Sequence, residues 1–382
     1  MRSKRKIALT PFPFDFDAPV DRAGTWSLRW DRYGREVIPL WVADTDFRAA
    51  PAVLQALSQR VQHGVFGYTV APEALREAIV ARCAQRYGWR IEPSWIVFLP
   101  GVVPGLHLAA RRLVPADGHA LIPGPVYQHF KRAVELAPRA FTEVPLVLHD
   151  GRWVLDEGDL KKHPHATTFF LCNPQNPGGT VFRRPELERL AELTRGMTIV
   201  SDEIHCDLVL EPGLRHVPIA SLAPEVSRRT VTLMSANKAF NFPAAGCAWA
   251  VAEDPALREA FAAEMRSHLL PSPSIFGYAA TLAAYREGDD WLAAQVEYLR
   301  GNRDFILKSL DLPMVRAEAT YLAWIDCSGV NHAFELFLKS GVALSPGAQF
   351  GAPGFVRLNF GTQRARLEQA LERMRSAVAG LA

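Results

Sequence analysis

The chain has 382 residues, 49% hydrophobic and 22% charged, and its 43 basic and 40 acidic side chains leave a formal charge of +3. This is an ordinary soluble composition, with enough chain to bury a core without disulfide or metal staples; collagen-like, disordered and small disulfide-scaffold classes are excluded. So weak a charge over this length gives no argument for nucleic-acid or membrane attraction.

Cysteine usage and length narrow the class further. Cys83, Cys172, Cys206, Cys247 and Cys327 are far apart and form no C-x-x-C pair. They suit reduced thiols in the cytoplasm, and no metal site is expected from them. The start Met1–Lys6 is basic, but Pro- and Asp-broken sequence follows it, so no signal peptide is expected. No apolar run approaches the ~18 residues of a membrane span. At about 100–200 residues per domain, the length predicts two domains, or one large one with an annex.

In chain order, the first 45 or so residues read as irregular, with Pro11, Pro13 and Pro19 among aromatic residues. Helices are expected over Ala50–Val61 and Glu73–Tyr87. Short β-rich runs follow at Trp95–Leu99, Ala120–Ile122, Thr168–Cys172, Thr198–Ser201 and Thr230–Met234. Helical patterns at Val103–Leu113 and Pro185–Thr194 lie between them. Strands alternating with helices predict an α/β fold with a mostly parallel sheet and helices on both faces. Beyond residue 255 come helices in series, Pro255–Leu270, Gly277–Glu287 and Trp291–Leu310. Strands near Tyr321–Ile325 and Phe355–Phe360 and a last helix Arg364–Gly380 complete the chain. The expected division is a segment 1–48, a large domain 49–280 and a small α+β domain 281–382 to which the first segment contributes.

Ligands of an open α/β sheet sit beyond the carboxyl ends of its strands. The residues just past each predicted strand are therefore informative. They are Gly101-Val102-Val103 opening a helix, Tyr127 after Gly124-Pro125, Asn176 in Asn173-Pro174-Gln175-Asn176-Pro177-Gly178-Gly179, Asp202 before Glu203-Ile204-His205, and Ser235 before Ala236-Asn237-Lys238. One rim thus collects a helix N-terminus, an aromatic ring, an amide, a carboxylate, a hydroxyl and a lysine. That set suits pyridoxal 5′-phosphate (PLP), which needs an amine for its aldehyde and an acid for its pyridine nitrogen. Its phosphate needs a cradle such as the N–H groups of a helix N-terminus.

These motifs resemble the fold-type I PLP enzymes of the class I/II aminotransferase group, and most of all its MalY/PatB-like cystathionine β-lyase (C–S lyase) branch. The resemblance runs through Pro39–Phe47, Phe66-Gly67-Tyr68-Thr69, Asp202–Asp207, Asn237–Asn241, Gly288–Leu292, Thr320–Trp324 and Phe355–Phe360. It implies that Lys238 bonds to the cofactor aldehyde and, once freed by substrate, takes the Cα proton. By the same resemblance, Asp202 pairs with the pyridine nitrogen, Asn176 with the phenolic oxygen, and Tyr127 stacks on the ring. The amides of Gly101, Val102 and Val103, with the Ser235 hydroxyl, hold the phosphate. Tyr68 reaches it from the neighbouring subunit, which implies a homodimer, and Arg357 grips the substrate α-carboxylate. Asn176–Pro177 is expected to be cis, since X–Pro bonds tolerate that form at about 0.5–1 kcal/mol. Tyr321 and Trp324 are expected in the core.

Departures from the group pattern sharpen the reading. His205 stands where aminotransferases carry tyrosine, which favours the lyase branch and places His205 beside the cofactor. Gly246 stands where many carry a phosphate-binding arginine. Asn176-Pro177-Gly178-Gly179 replaces N-P-T-G, and Gln175 replaces a histidine frequent in the branch. The resemblance therefore implies β-elimination from cystathionine or another cysteine S-conjugate, giving a thiol, pyruvate and ammonia. An aminotransferase is the alternative. A PLP-sensing transcription regulator ranks last, because the Pro-rich start does not read as helix-turn-helix.

Overall fold

A computed structural model describes residues 14–267 and 270–380. The basic start, Pro11 and Pro13 lie outside these residues, as do residues 268–269 within the helix expected over Pro255–Leu270.

Eight strands build the large sheet: β1 Ile96–Leu99, β2 His119–Gly124, β3 Ala140–His149, β4 Arg152–Leu155, β5 Thr168–Cys172, β6 Thr198–Asp202, β7 Thr230–Met234 and β8 Ala248–Val251. Their order is β1-β8-β7-β6-β5-β2-β3-β4. The run β7-β6-β5-β2-β3 is parallel, while β8 is antiparallel to both its neighbours and β4 is antiparallel to β3. β5 and β7 are buried throughout, as expected of strands covered on both faces. The helix Val102–Leu113 buries Leu106, Ala109, Ala110 and Leu113 against one face. The predicted strands are present, but β3, β4 and β8 were not foreseen. β3 alternates exposed and buried residues only weakly, and β8 is a short Ala-Trp-Ala-Val run with little β signature.

Helix ends follow local chemistry. Helix Pro51–His63 begins with proline at its first turn, and Gly64 closes it at φ 77°, a left-handed conformation that favours glycine. Helix Glu73–Tyr87 has the predicted bounds and ends the same way on Gly88, at φ 64°. Trp95, expected to start β1, instead ends the short turn Pro93–Trp95. Helices not foreseen in the sequence span His129–Leu136 and Ala333–Lys339.

A second sheet comes from the C-terminal third: β9 Leu322–Asp326, β10 Ser345–Pro346 and β11 Phe355–Asn359, with β11 central and antiparallel to both. Its register puts Arg357 opposite Trp324 on one side and Ser345 on the other. Ile38–Pro39 pairs with Val342–Ala343, and one apolar cluster joins Phe16, Leu40 and Phe47 to Leu322, Phe337, Leu358 and Leu371. The two ends of the described chain thus share a core.

Candidate active site

The strand order brings the predicted rim together. β1 and β7 are both antiparallel to β8 between them, so Gly101 and Ser235 emerge on the same edge as Asn173 and Asp202. Gly101 caps the helix Val102–Leu113, whose first N–H groups have no partner within the helix. Ser235 Oγ donates to the Cys247 carbonyl at 2.6 Å, fixing the turn before Lys238. Gly246 adopts φ 48°, and a Cβ there would lie 3.1 Å from the Pro100 carbonyl. The position where many relatives of the group place an arginine is here a backbone turn packed behind Gly101.

Asp202 ends β6 and is buried; its Oδ1 accepts from the Ile204 N–H at 3.1 Å. Burial pushes its pKa up to about 7. Lys238 is enclosed as well: its Nζ donates to the Ala43 carbonyl at 2.6 Å. Burial lowers the amine to about 8, Asp44 and Asp202 acting against that and Arg357 with it. His205 is buried, its Nδ1 has no hydrogen-bond partner, and burial with Lys238 and Arg357 nearby holds it at about 3, so its imidazole is neutral.

Arg357 is a buried guanidinium with no carboxylate in ion-pair range among the described residues. Nη1 donates to Asn176 Oδ1 at 3.0 Å, Nη2 to the Trp41 carbonyl at 3.0 Å and to Ser345 Oγ at 3.3 Å, and Nε is unpartnered. Its charge also lies 4.7 Å from the Phe350 ring centre. Burial lowers it to about 10. A buried cation with these neutral partners has the capacity to take an incoming anion. The contact also fixes Asn176: with Oδ1 accepting from Arg357, Nδ2 is the donor that remains.

The Asn176 loop is stapled from both sides. The Tyr127 N–H donates to the Asn176 carbonyl at 3.1 Å. Gln175 Nε2 donates to the Pro125 carbonyl at 2.6 Å, and Gln175 Oε1 accepts from the Gly178 N–H. A Cβ on Gly178 would lie 2.7 Å from Gln175 Oε1 and 2.7 Å from Trp153 Cδ1. The two departures at 175 and 178 are therefore one arrangement: the glutamine side chain and the Trp153 ring fill the space a larger residue 178 would need. Asn176–Pro177 is cis, as expected, and so are Gly124–Pro125 and Asn173–Pro174.

Two features escaped the sequence reading. Backbone carbonyls of residues 41–44 hold the site's cations, since Trp41 accepts from Arg357 and Ala43 from Lys238, while Asn359 Nδ2 donates to Val42 and Asp44. Tyr321 is in the core as expected, yet its Oη donates to the Ala43 carbonyl at 3.0 Å, beside Lys238. Both lie in motifs that carry the resemblance, but residue types alone do not say which main-chain oxygens face a ligand. Tyr68, by contrast, stands fully exposed in the single chain described.

The donor set fits PLP: a half-buried amine of lowered basicity, a buried carboxylate with only a backbone partner, helix-terminal amides and a hydroxyl at one rim. No group of three metal-ligating side chains occurs among the described residues, and no described helix is long and apolar enough to cross a membrane.

The sequence profile for aminotransferase class I and II matches residues 35–374. The chain belongs to that family. Cystathionine β-lyase PatB of Bacillus subtilis (strain 168) is 36% identical over 386 residues, covering 95% of this chain and 100% of PatB. A crystal structure of OvoB, 46% identical, superposes with a TM-score of 0.91 over 95% of this chain and 99% of that one. The PLP-bound C–S lyase from Staphylococcus hominis, 30% identical, gives 0.89 over 97% and 98%. With this aminotransferase-family fold, the mostly parallel sheet and the rim described above are accounted for together.

Proposed function

We propose that this chain is a PLP-dependent C–S β-lyase acting on cystathionine or a related cysteine S-conjugate. End-to-end similarity to proteins named cystathionine β-lyase and C–S lyase supports the reaction. The observation that carries the site is the half-buried Lys238 amine and the carboxylate-free Arg357 guanidinium held by one chain segment, residues 41–44. An L-amino acid has its Cα proton and its carboxylate as near neighbours, and these two groups answer them.

When bound, PLP supplies an aldehyde for the substrate amine and a ring that draws electrons from Cα. Asp202 would face the pyridine nitrogen and favour its protonated form, Asn176 Nδ2 would donate to the phenolic oxygen, and Tyr127 would cover the ring. The N–H groups of Gly101, Val102 and Val103 would hold the phosphate, with the Ser235 hydroxyl beside them. His205, neutral and buried, would lie beside the cofactor without adding charge. Arg357 binds the α-carboxylate and so fixes the Cα–H bond relative to Lys238. A lysine poised near 8 is unprotonated in a useful fraction close to neutrality, so Nζ accepts the Cα proton. The Cβ–S bond then breaks, sulfur leaves with the bonding pair, and Lys238 Nζ or water returns a proton to it. The remaining 2-aminoacrylate takes up water and yields pyruvate and ammonia.

We also assign Tyr68 to the phosphate of a neighbouring subunit in a homodimer; its exposure, with that of Val61, Val65, Phe66 and Val70 close by in the sequence, supports this. The five buried free cysteines support a reducing, cytoplasmic setting. We divide the chain at residues 48 and 280, with both ends forming the small domain. The deciding assay is pyruvate and thiol release from L-cystathionine by the PLP-loaded protein; no pyruvate from any cysteine S-conjugate overturns the lyase. Because the family match is to aminotransferases, amino transfer from L-alanine to a 2-oxo acid is the second assay.

A further inference from the structure

We propose that Tyr321 is a positioning residue of this site: its phenol holds the Ala43 carbonyl, and through it the segment 41–44, so that Arg357 is ready for the substrate carboxylate. The inference rests on the reading of Arg357 as the carboxylate receptor.

Three observations carry it. First, Tyr321 Oη and Lys238 Nζ donate to the same oxygen, at 3.0 Å and 2.6 Å. When the lysine amine is engaged with the cofactor, the phenol is the donor left to hold Ala43. Second, the same segment presents the Trp41 carbonyl to Arg357 Nη2, and Ser345 Oγ donates to that carbonyl at 2.8 Å. A shift at Ala43 therefore reaches the guanidinium within two residues. Third, Thr320 adopts φ 73°, a left-handed conformation unusual for a β-branched residue. It is held there by its N–H to the Leu208 carbonyl at 2.9 Å and by the Leu322 N–H on its Oγ1 at 3.1 Å. The strained residue sets the direction in which Tyr321 leaves the chain. The ring packs edge-on to His205 with centroids 6.0 Å apart. Burial raises the phenol's pKa, so it stays a donor across the working pH range.

The test is Tyr321→Phe in the PLP-loaded protein. The phenyl ring keeps its packing, so folding and cofactor absorbance serve as controls. We expect KM for L-cystathionine to rise about tenfold with kcat falling far less, because the lost contact orients the ground-state carboxylate grip. Spectral titration with L-alanine, which binds but carries no β leaving group, should show the same loss of about tenfold in affinity. Titration within twofold of the parent protein overturns the role of Tyr321. If the parent protein releases no pyruvate, the lyase reading fails, while the L-alanine titration still decides Tyr321.

Discussion

Lys238 and Asp202 show how burial tunes reactive groups. An amine removed from water loses basicity and a carboxylate gains it, and an opposite charge or a hydrogen bond to the charged form works against each shift. Lys238→Ala should leave a folded protein whose PLP is not fixed by borohydride reduction, whereas in the parent protein the reduced cofactor maps to the peptide containing residue 238. Asp202 makes a stability prediction with a defined sign. Its unfolded pKa is 3.8 and its folded value is about 7, so between these limits the folded state holds a proton that the unfolded state has lost. Stability of the cofactor-free protein therefore falls as pH rises from about 4 to 7 and levels off above that. Asp202→Asn removes this loss. Calorimetry of cofactor-free samples should find the variant melting above the parent at pH 8, with the gap closing toward pH 4; an equal gap at both pH values would refute the assignment. The catalytic candidates themselves were legible as residue types after strands. Their environment was not, since burial and partners come from segments 195 and 181 residues apart, as with Ala43 and Lys238 or Asn176 and Arg357.

Elements stand or fall on a few fixed contacts. The loop 175–179 is held by Gln175 between Pro125 and Gly178, with Trp153 against the glycine. Gly178→Thr should overpack this corner and destabilise by about 1–3 kcal/mol, part of which a second change, Gln175→Ala, relieves. Strictly additive losses in a thermal-melt cycle would show the two positions to be independent. Helix Glu73–Tyr87 is tied to the chain after β6 by Arg82, which pairs with Asp207 at 2.9 Å and with Asp289 at 2.8 Å. Burial opposes the Asp207 charge, but Arg82 and the Tyr87 hydroxyl hold its pKa below the usual range. Arg82→Met leaves that carboxylate to the Tyr87 hydroxyl and to Arg86 at 3.9 Å, and should cost up to about 3–5 kcal/mol, read as a lower unfolding midpoint. Sequence periodicity found this helix to the residue because glycine ends it and apolar spacing marks its face. It missed β8, whose Ala-Trp-Ala-Val run becomes a strand only between β1 and β7. It also missed Ala333–Lys339, too short for its period to register.

At the scale of the whole molecule, the apolar stretch around Tyr68 is the largest statement about assembly. The proposed dimer with shared active sites predicts complementation. Lys238→Ala and Tyr68→Ala chains, each weak alone, should regain activity when mixed and refolded together, toward about a quarter of the parent value if exchange is random. No gain on mixing, with dimers present by sedimentation, would place Tyr68 outside the site. By itself, the sequence determined the class of fold, the cofactor chemistry and the identity of the rim residues. Alternating periodicities and turn chemistry are local, and a strand's end marks where a ligand sits whatever the rest of the chain does. Only the tertiary structure decided which polar atoms are left free to act. Asn176 presents its amide nitrogen because Arg357 takes its oxygen, Gln175 and Gly178 form one unit through Trp153, and Tyr321 reaches the carbonyl that holds Lys238. Each of these is a competition for hydrogen bonds or space between residues distant in the chain, which a one-dimensional pattern does not contain.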